Sequence, residues 1–385
     1  MRVLMISKPM IASAYRTKLE AIARHADVEL TVVVPPYWRD DAGRNLPLEP
    51  GHTDGYRLVV EPMAFNGHFH YHFYPVLHRV FRQVRPELLH MDEEPYNLST
   101  LQGYALARAA GAKSIFFTWQ NLPRRYPPPI SWLEQVIYRL SAGAIAGNAD
   151  AVDVLRAKGF RGKTWIIPQF GVDPDLFKPD LELQSRPRPF TVGFVGRLRE
   201  RKGAHLLVEA VAALNDDSRL DLLAWGEEEP RIRTLAAQFG VADRVTIHAG
   251  VPSDEVPQFL NRLDVAVMPS IEIGSWKEQF GRVLIEGMAC GVNVVGSDSG
   301  EIAHVIGDAG LVFKPGDSAA LAECLRRLRD NRALRAELRA RGLRRARENY
   351  TQQAIADQTV TAYREIVRPT GAAAAPPGSA SPVAM

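Results

Sequence analysis

Short apolar runs alternate with amphipathic helical patterns along almost the whole chain of 385 residues. This alternation is typical of α/β proteins with parallel sheets, in which helices cover the faces of buried strands. In the first half, strands are predicted at residues 3–6, 30–34, 88–90, 114–117, 144–146 and 164–167. The pattern starts again in the second half, with strands at residues 190–195, 220–225, 245–248, 265–268, 293–297 and 310–313.

Proline and Asp-Pro steps interrupt this pattern at residues 171–179, and a Pro- and Arg-rich stretch follows at 185–189. The chain is also too long for one ordinary hydrophobic core. The sequence therefore predicts two doubly wound, Rossmann-like α/β domains, residues 1–172 and 173–367, which face each other across a cleft. Ligands of such sheets bind beyond the carboxyl ends of the strands, so the cleft is the expected site.

Three segments near the C-terminus have different predicted structures. Residues 319–349 are rich in arginine and alanine and are predicted to form a long helical stretch with solvated faces. A last helix at about residues 352–367 is expected to cross back to the first domain. Residues 368–385 contain too little apolar bulk to fold and are predicted to be a disordered tail.

The composition narrows the class of protein and its compartment. A formal net charge of +3 is too small to indicate a nucleic-acid partner. Two cysteines exclude a disulfide scaffold, and Cys290 is interpreted as a small buried residue rather than a nucleophile. No signal peptide or membrane-spanning run is recognisable, so a cytoplasmic protein is expected, with peripheral contact to the inner face of a membrane left open.

Residues 196–203, GRLRERKG, follow the first predicted strand of the second half. A strand, loop and helix in this order present backbone N–H groups and the positive end of a helix dipole to an anion. Arg197 and Lys202 add two cations after Gly196, while the loop lacks both the dinucleotide and the Walker glycine patterns. Taken alone, the loop fits an anion clamp and a solvated basic loop equally well.

Residues 278–286, EQFGRVLIE, carry two carboxylates around the start of an apolar helix. The N–H groups near Phe280 and Gly281 are placed to meet a phosphate or a sugar hydroxyl. Glu286 lies inside the apolar helix, where an unpaired charge is costly, and a ribose with two hydroxyls would satisfy it. Glu278 precedes the helix and is placed to meet hydroxyls of a sugar.

The two motifs, with residues 287–295 (GMACGVNVV), 299–301 (SGE) and 168–173 (PQFGVD), resemble the retaining GT-B glycosyltransferases of family 4. The resemblance covers the second domain and the linker and is looser in the first domain. It implies the GT-B fold, a nucleotide-diphosphate sugar as donor, and no cofactor or metal, because two cations take the place of a metal ion. It also implies retention by front-face attack, assisted by the leaving phosphate.

The resemblance assigns roles to the motif residues of the second domain. The catalytic group would bind the donor diphosphate and hold the transferred sugar, and consists of Arg197, Lys202 and Glu278. The remaining donor-binding group would contact phosphate, sugar, ribose and the edge of the nucleobase, and consists of Gly196, Gly250, Val251, Phe280, Gly281 and Glu286.

The first domain departs from the family pattern. Many relatives carry a Gly-Gly loop after the first strand, where this chain has residues 7–16, SKPMIASAYR, so Arg16 or Lys18 is expected to meet the phosphates or an anionic acceptor. Gln120 stands where many relatives have a histidine, and it is expected to position a sugar hydroxyl without titrating. Glu93, in the acidic run 92–94, is a candidate for acceptor hydroxyls or an amine; a solvated loop is the alternative.

His68, His70, His72 and His78 suggest a metal site, but no nearby carboxylate or cysteine completes one. No metal site is therefore predicted. Because aromatic residues surround the histidines, the segment is interpreted as a lid, an acceptor-side surface or an ordinary packed segment, and these three alternatives remain open.

The expected function is transfer of a sugar from a nucleotide-diphosphate sugar, with UDP favoured over GDP from family frequency alone. The acceptor would be a glycan, a glycolipid or a small metabolite, in bacterial cell-envelope or exopolysaccharide synthesis. The alternatives are a catalytically silent nucleotide-sugar-binding scaffold and another GT-B enzyme, such as a nucleotide-sugar epimerase or a sugar phosphorylase.

Overall fold

The computed structural model describes residues 1–40, 43–274 and 276–367. Two parallel sheets, each covered by helices, make up this part of the chain. The predicted α/β class with two doubly wound, Rossmann-like domains is confirmed. The disorder predicted for residues 368–385 lies outside the described residues.

The first sheet has seven parallel strands in the order β5-β2-β1-β6-β7-β8-β9. Its central strands are buried on both faces, which explains their continuous apolar sequences. An antiparallel pair, β3 and β4, lies apart from it. The strands of this half are β1 Arg2–Ile6, β2 Glu29–Val34, β3 Tyr37–Arg39, β4 Asn45–Pro47, β5 Arg57–Val60, β6 Leu88–Met91, β7 Lys113–Thr118, β8 Gly143–Ala146 and β9 Lys163–Ile166.

The second sheet has six parallel strands in the order β12-β11-β10-β13-β14-β15. Four of them have the bounds that the sequence predicted, whereas β10 extends two residues further and includes Gly196 and Arg197. The strands are β10 Thr191–Arg197, β11 Arg219–Trp225, β12 Val245–His248, β13 Val265–Met268, β14 Asn293–Ser297 and β15 Gly310–Phe313.

Helices connect the strands and pack against both sheets. In the first half they are α1 Ser13–Ala23, α2 Leu77–Val84, α3 Leu98–Ala109, α4 Ile130–Leu140 and α5 Ala149–Ala157. A short helix, α6 Leu181–Ser185, lies between the sheets in the chain. The second half contains α7 Ala204–Leu214, α8 Glu229–Gln238, α9 Val256–Leu260, α10 Arg282–Ala289, α11 Ile302–Ile306, α12 Ser318–Asp330, α13 Arg332–Asn349 and α14 Gln352–Val367.

The helical stretch predicted at residues 319–349 consists of two helices, because Asn331 separates α12 from α13. Asn331 has extended backbone angles, and its side-chain oxygen accepts a hydrogen bond from the Leu334 N–H at 2.9 Å. This is an N-cap, which starts a new helix.

The last helix, α14, lies against the first sheet although it follows the second one. Ile355, Val360 and Tyr363 are buried in the core that also contains residues of β1 and β2. The Tyr363 hydroxyl forms a 2.6 Å hydrogen bond with His90 of β6, and Arg364 pairs with Asp27 at 2.7 Å. The chain therefore crosses between the two sheets twice.

In each sheet the strand order reverses beside the strand that comes first in the sequence, β1 or β10. Ligands of such folds bind at these positions. In the first sheet this switch point lies between the carboxyl ends of β1 and β6. In the second it lies between β10 and β13. The two switch points carry the residues described next.

Candidate functional site

The loop after β10 is a tight turn that leads into α7. A single turn of 3₁₀ helix, Glu200–Lys202, ends at Gly203, which has a φ of 69°. A Cβ atom at Gly203 would lie 2.0 Å from the carbonyl oxygen of Pro269, so only glycine fits there. The turn thereby holds Lys202 beside the carboxyl end of β13.

Lys202 and Glu278 form an ion pair at the centre of the second switch point. The Lys202 Nζ lies 2.6 Å from the Glu278 Oε2, and the buried Ser270 hydroxyl donates to the same oxygen at 2.9 Å. The other oxygen of Glu278 has no protein partner among the described residues. A cation and a free carboxylate oxygen are thus fixed side by side before any ligand arrives.

The amino end of α10 completes the anion-binding part of the site. Gly281 precedes the helix with a φ of 96°, and no side chain caps the first turn. Phe280 anchors the turn because its ring packs against Trp119 of the first domain at 5.8 Å and against Tyr350 at 5.9 Å. The uncapped N–H groups of the first turn are suited to a phosphate or a hydroxyl oxygen.

Glu286 lies one turn further along α10 and is buried. Its Oε1 accepts a 2.6 Å hydrogen bond from Arg282 Nε, and Arg282 also donates to the hydroxyl of Tyr15 in the first domain at 3.1 Å. Burial raises the pKa of the Glu286 carboxyl, and the Arg282 guanidinium opposes part of that shift. The second oxygen of Glu286 has no protein partner in the described parts of the chain and remains available to a ligand.

These groups line one cavity of about 410 Å³ between the two domains. Direct hydrogen bonds close it on one side: Asn121 donates to the Glu278 carbonyl at 3.3 Å, and Gln279 donates to the Trp119 carbonyl at 3.1 Å. The predicted residues that the structure brings together here are Lys202, Glu278, Phe280, Gly281 and Glu286.

Other predicted donor residues lie outside that cavity but on the same sheet edge. Arg197 is an exposed residue at the end of β10 and has no ion-pair partner among the described residues. Gly250 and Val251 are exposed and follow β12, two strands away from β10. Gly196 precedes Arg197 in β10.

Arg16 corrects an expectation from the sequence. It is fully buried, and its guanidinium donates to the carbonyl oxygens of Met10, Ile11, Glu49 and Gly51. These bonds use its donors, so the side chain ties two loops of the first domain together and does not face an anion in the cleft. Lys18 is buried as well and donates to the Gln169 carbonyl at 2.9 Å.

The acidic run at residues 92–94 is not a solvated loop. Asp92 and Glu93 are buried, and Glu93 accepts hydrogen bonds from both the backbone N–H and the Nζ of Lys8 at the first switch point. Glu94 accepts from the Thr118 hydroxyl at 2.6 Å and from the Trp119 N–H at 2.8 Å. Burial nevertheless raises the pKa of Glu94 to about 7.

Gln120 lies at the carboxyl end of β7, next to Trp119 of the donor cavity. Its side-chain oxygen accepts a 3.0 Å hydrogen bond from Lys158, which also pairs with Glu134 at 2.7 Å. Its amide nitrogen is buried and has no partner in the described residues. Gln120 is therefore held in place with one donor group unused.

The histidine-rich segment is packed among aromatic rings. His72 is buried, with one ring nitrogen 3.0 Å from the Ser99 hydroxyl and the other 3.1 Å from the His68 carbonyl. His70 lies 5.5 Å from the rings of both Tyr96 and Tyr126. Within the described residues, no three histidine, cysteine or acidic side chains are grouped so that they could hold a metal ion.

Sequence reasoning missed several residues that shape the cavity. Arg282 lies four residues before Glu286, a spacing that predicts an ion pair on a helix, so this partner could have been inferred. Ser270, Trp119 and Phe170 reach the site from loops, and Tyr15 reaches Arg282 from α1. None of the four carries a local signal that distinguishes it.

Residues 181–345 match the family described as glycosyl transferases group 1. The chain is 31% identical over 282 residues to a D-inositol 3-phosphate glycosyltransferase of Stackebrandtia nassauensis. The aligned region covers 67% of this chain and 61% of that protein. The chain is also 28% identical over 278 residues to a 2-deoxystreptamine glucosyltransferase of Streptomyces kanamyceticus. That aligned region covers 66% of this chain and 70% of that protein.

Among solved structures, HepE of Anabaena in complex with UDP superposes with a TM-score of 0.73 at 18% identity, over 95% of this chain and 100% of that one. At this identity the likeness establishes the fold, which is that of GT-B glycosyltransferases. The helices in the described part of the chain all lack the combination of length and apolar character that crossing a membrane requires.

Proposed function

We propose that this chain is a retaining glycosyltransferase of family 4 that takes its sugar from a nucleotide-diphosphate sugar. The observation that carries the proposal is the cavity of about 410 Å³ in which Lys202, Glu278, the amino end of α10 and Glu286 meet. The match of residues 181–345 to glycosyl transferases group 1 supports it independently.

The chemistry of the donor fits the order of groups along the cavity. A diphosphate leaving group gains negative charge as the sugar bond breaks, and Lys202 with the N–H groups of α10 would stabilise that charge. Arg197 would add a second cation from the sheet edge. Because these cations are supplied by the protein, we propose that transfer requires neither a cofactor nor a metal ion.

Two carboxylates would hold the sugar parts of the donor. Glu286 would accept the ribose hydroxyls through the oxygen that Arg282 leaves free. Glu278 would accept hydroxyls of the transferred sugar, since only one of its oxygens is bound by Lys202 and Ser270. We propose front-face attack with retention, in which the leaving phosphate accepts the proton of the acceptor.

The acceptor is proposed to bind on the first-domain side, near the unused amide of Gln120. The names of two relatives give small acceptors, D-inositol 3-phosphate and 2-deoxystreptamine, which supports a small metabolite over the glycan and glycolipid that remain in the proposal. We propose UDP as the carrier over GDP, because HepE binds UDP in the same fold. The proposed setting is cytoplasmic synthesis of a bacterial cell-envelope or exopolysaccharide component, with peripheral membrane contact if the acceptor is a lipid.

The test is release of nucleoside diphosphate from a panel of nucleotide sugars, measured with and without acceptors, in EDTA. Acceptor-dependent release and an α-linked product from an α-linked donor are expected. Binding without release from any donor would instead indicate a silent scaffold. Interconversion of the donor without release would indicate an epimerase, and release that depends on inorganic phosphate would indicate a phosphorylase.

A further inference from the structure

Trp225 is an exposed aromatic residue at the carboxyl end of β11, and it has no role in the transfer reaction proposed above. Parallel pairing places it opposite Arg197, and its carbonyl accepts a 2.8 Å hydrogen bond from the Leu198 N–H. Its six-membered ring packs on Gly250, where a Cβ atom would lie 3.3 and 3.5 Å from two ring carbons. Pairing with β10 therefore fixes the backbone of Trp225, and Gly250 supports one face of its ring.

Trp225 is 52% exposed to solvent. Its ring stacks on no aromatic residue and lies under no cation in the described parts of the chain. Val251, also exposed, follows Gly250 directly and adds apolar surface on the β12 side. An exposed, unpaired indole at the ligand-binding edge of a parallel sheet is a surface suited to a flat aromatic ligand.

The strand order decides which part of a donor would meet this surface. β11 lies between β10, which leads to Lys202, and β12, which leads to Gly250. Neighbouring strands are about 4.8 Å apart, so Trp225 lies one strand spacing from β10, and Gly250 lies two. Glu278 and α10, where the sugar is proposed to bind, lie on the other side of Lys202.

We infer that the indole of Trp225 is the stacking platform for the nucleobase of the donor, and that the glycine at position 250 lets the ring pack directly on the backbone. This inference rests on the proposed function. A nucleoside diphosphate with its phosphates at Lys202 would then lay its base across the ends of β11 and β12. Stacking on an indole favours any base, so Trp225 would supply affinity, and the choice of base would come from neighbouring backbone groups.

The experiment is isothermal titration calorimetry of wild type, Trp225→Ala and Trp225→Phe with UDP, GDP, ADP, dTDP and pyrophosphate. The control is Trp132→Ala, because Trp132 is 67% exposed on α4 of the first domain. We expect Trp225→Ala to weaken the preferred nucleoside diphosphate by about 5- to 150-fold, the usual range for one base stacked on an aromatic ring. Pyrophosphate affinity should not change, and Trp225→Phe should retain most of the nucleotide affinity.

Each outcome separates this inference from the proposed function. Unchanged nucleotide affinity in Trp225→Ala would overturn the inference alone, as would equal losses for nucleotide and pyrophosphate. A wild-type protein that binds pyrophosphate but no nucleoside diphosphate, or binds neither, would overturn the proposed function and the inference with it. Melting temperatures of all variants check that the fold is intact.

Discussion

Replacement of Lys202 by alanine removes a cation that is already positioned in the free protein. The Nζ of Lys202 is held 2.6 Å from Glu278, and Glu278 is fixed in turn by Ser270. No rearrangement of the protein is therefore needed when charge develops on the leaving phosphate. Preorganised charge of this kind acts mainly on the transition state and little on the ground state.

The size of the effect follows from distance and exposure. Two unit charges about 4 Å apart interact with about 4 kcal/mol at an effective dielectric constant of about 20. The Lys202 side chain is 23% exposed, so solvent screening reduces this value. We therefore expect a loss of about 2–4 kcal/mol, which corresponds to a kcat lower by about 30- to 1,000-fold.

The assay is steady-state release of nucleoside diphosphate, with kcat and KM determined separately. Lys163→Ala is the matched control, because Lys163 also pairs with a glutamate, Glu365, at 2.5 Å but lies outside the donor cavity. We expect Lys202→Ala to lose kcat with little change in KM, and Lys163→Ala to retain both. An unchanged kcat in Lys202→Ala, or an equal loss in the control, would refute the reasoning.

Three further predictions concern the buried charges. Glu286→Gln, which keeps an acceptor for Arg282, should weaken nucleotide binding by roughly tenfold or more without lowering the melting temperature, and titration calorimetry showing wild-type affinity would remove Glu286 from the ribose. Arg16→Met should lower the free energy of unfolding by about 3 kcal/mol or more because buried carbonyls lose their donor, while nucleotide affinity stays unchanged; weaker nucleotide binding by the folded variant would restore a role in the cleft. Burial raises the pKa of Glu94 to about 7, so the folded state binds this proton more tightly than the unfolded state and stability should fall as pH rises from about 4.5 to 7. Denaturant unfolding of Glu94→Gln at several pH values should lack that fall, and parallel pH profiles of variant and wild type would contradict the assignment.

The second sheet was predictable because its strands are apolar on both faces. Strands β13 and β14 are buried throughout, and the predicted bounds match the observed ones. Strand β5, Arg57–Val60, was missed because it lies at the edge of the first sheet, spans four residues and is only partly buried. The break at Asn331 was missed because arginine and alanine continue the helical pattern on both sides of the cap.

In the candidate site, too, residues in local motifs were predictable from the sequence, whereas residues whose partners are distant in the chain were not. Lys202, Glu278 and Glu286 belong to contiguous motifs whose local structure follows from the sequence, and the structure gathers them in one cavity. Arg16 could not be read correctly, because its carbonyl partners Glu49 and Gly51 lie more than thirty residues away in the chain. Only the folded arrangement of those loops shows that the guanidinium donors of Arg16 are already bound by backbone carbonyl oxygens.

Thermal unfolding of the wild-type protein with UDP, GDP, ADP, dTDP and NAD at matched concentrations tests whether the chain has a nucleoside-diphosphate site. A ligand present at about a hundred times its dissociation constant stabilises the folded state by about 2.7 kcal/mol, which is readily detected as a shift in melting temperature. We expect a clear rise in melting temperature with one of the nucleoside diphosphates and none with NAD. A rise with NAD alone, or no rise with any of the five, would contradict a nucleoside-diphosphate site between the two domains.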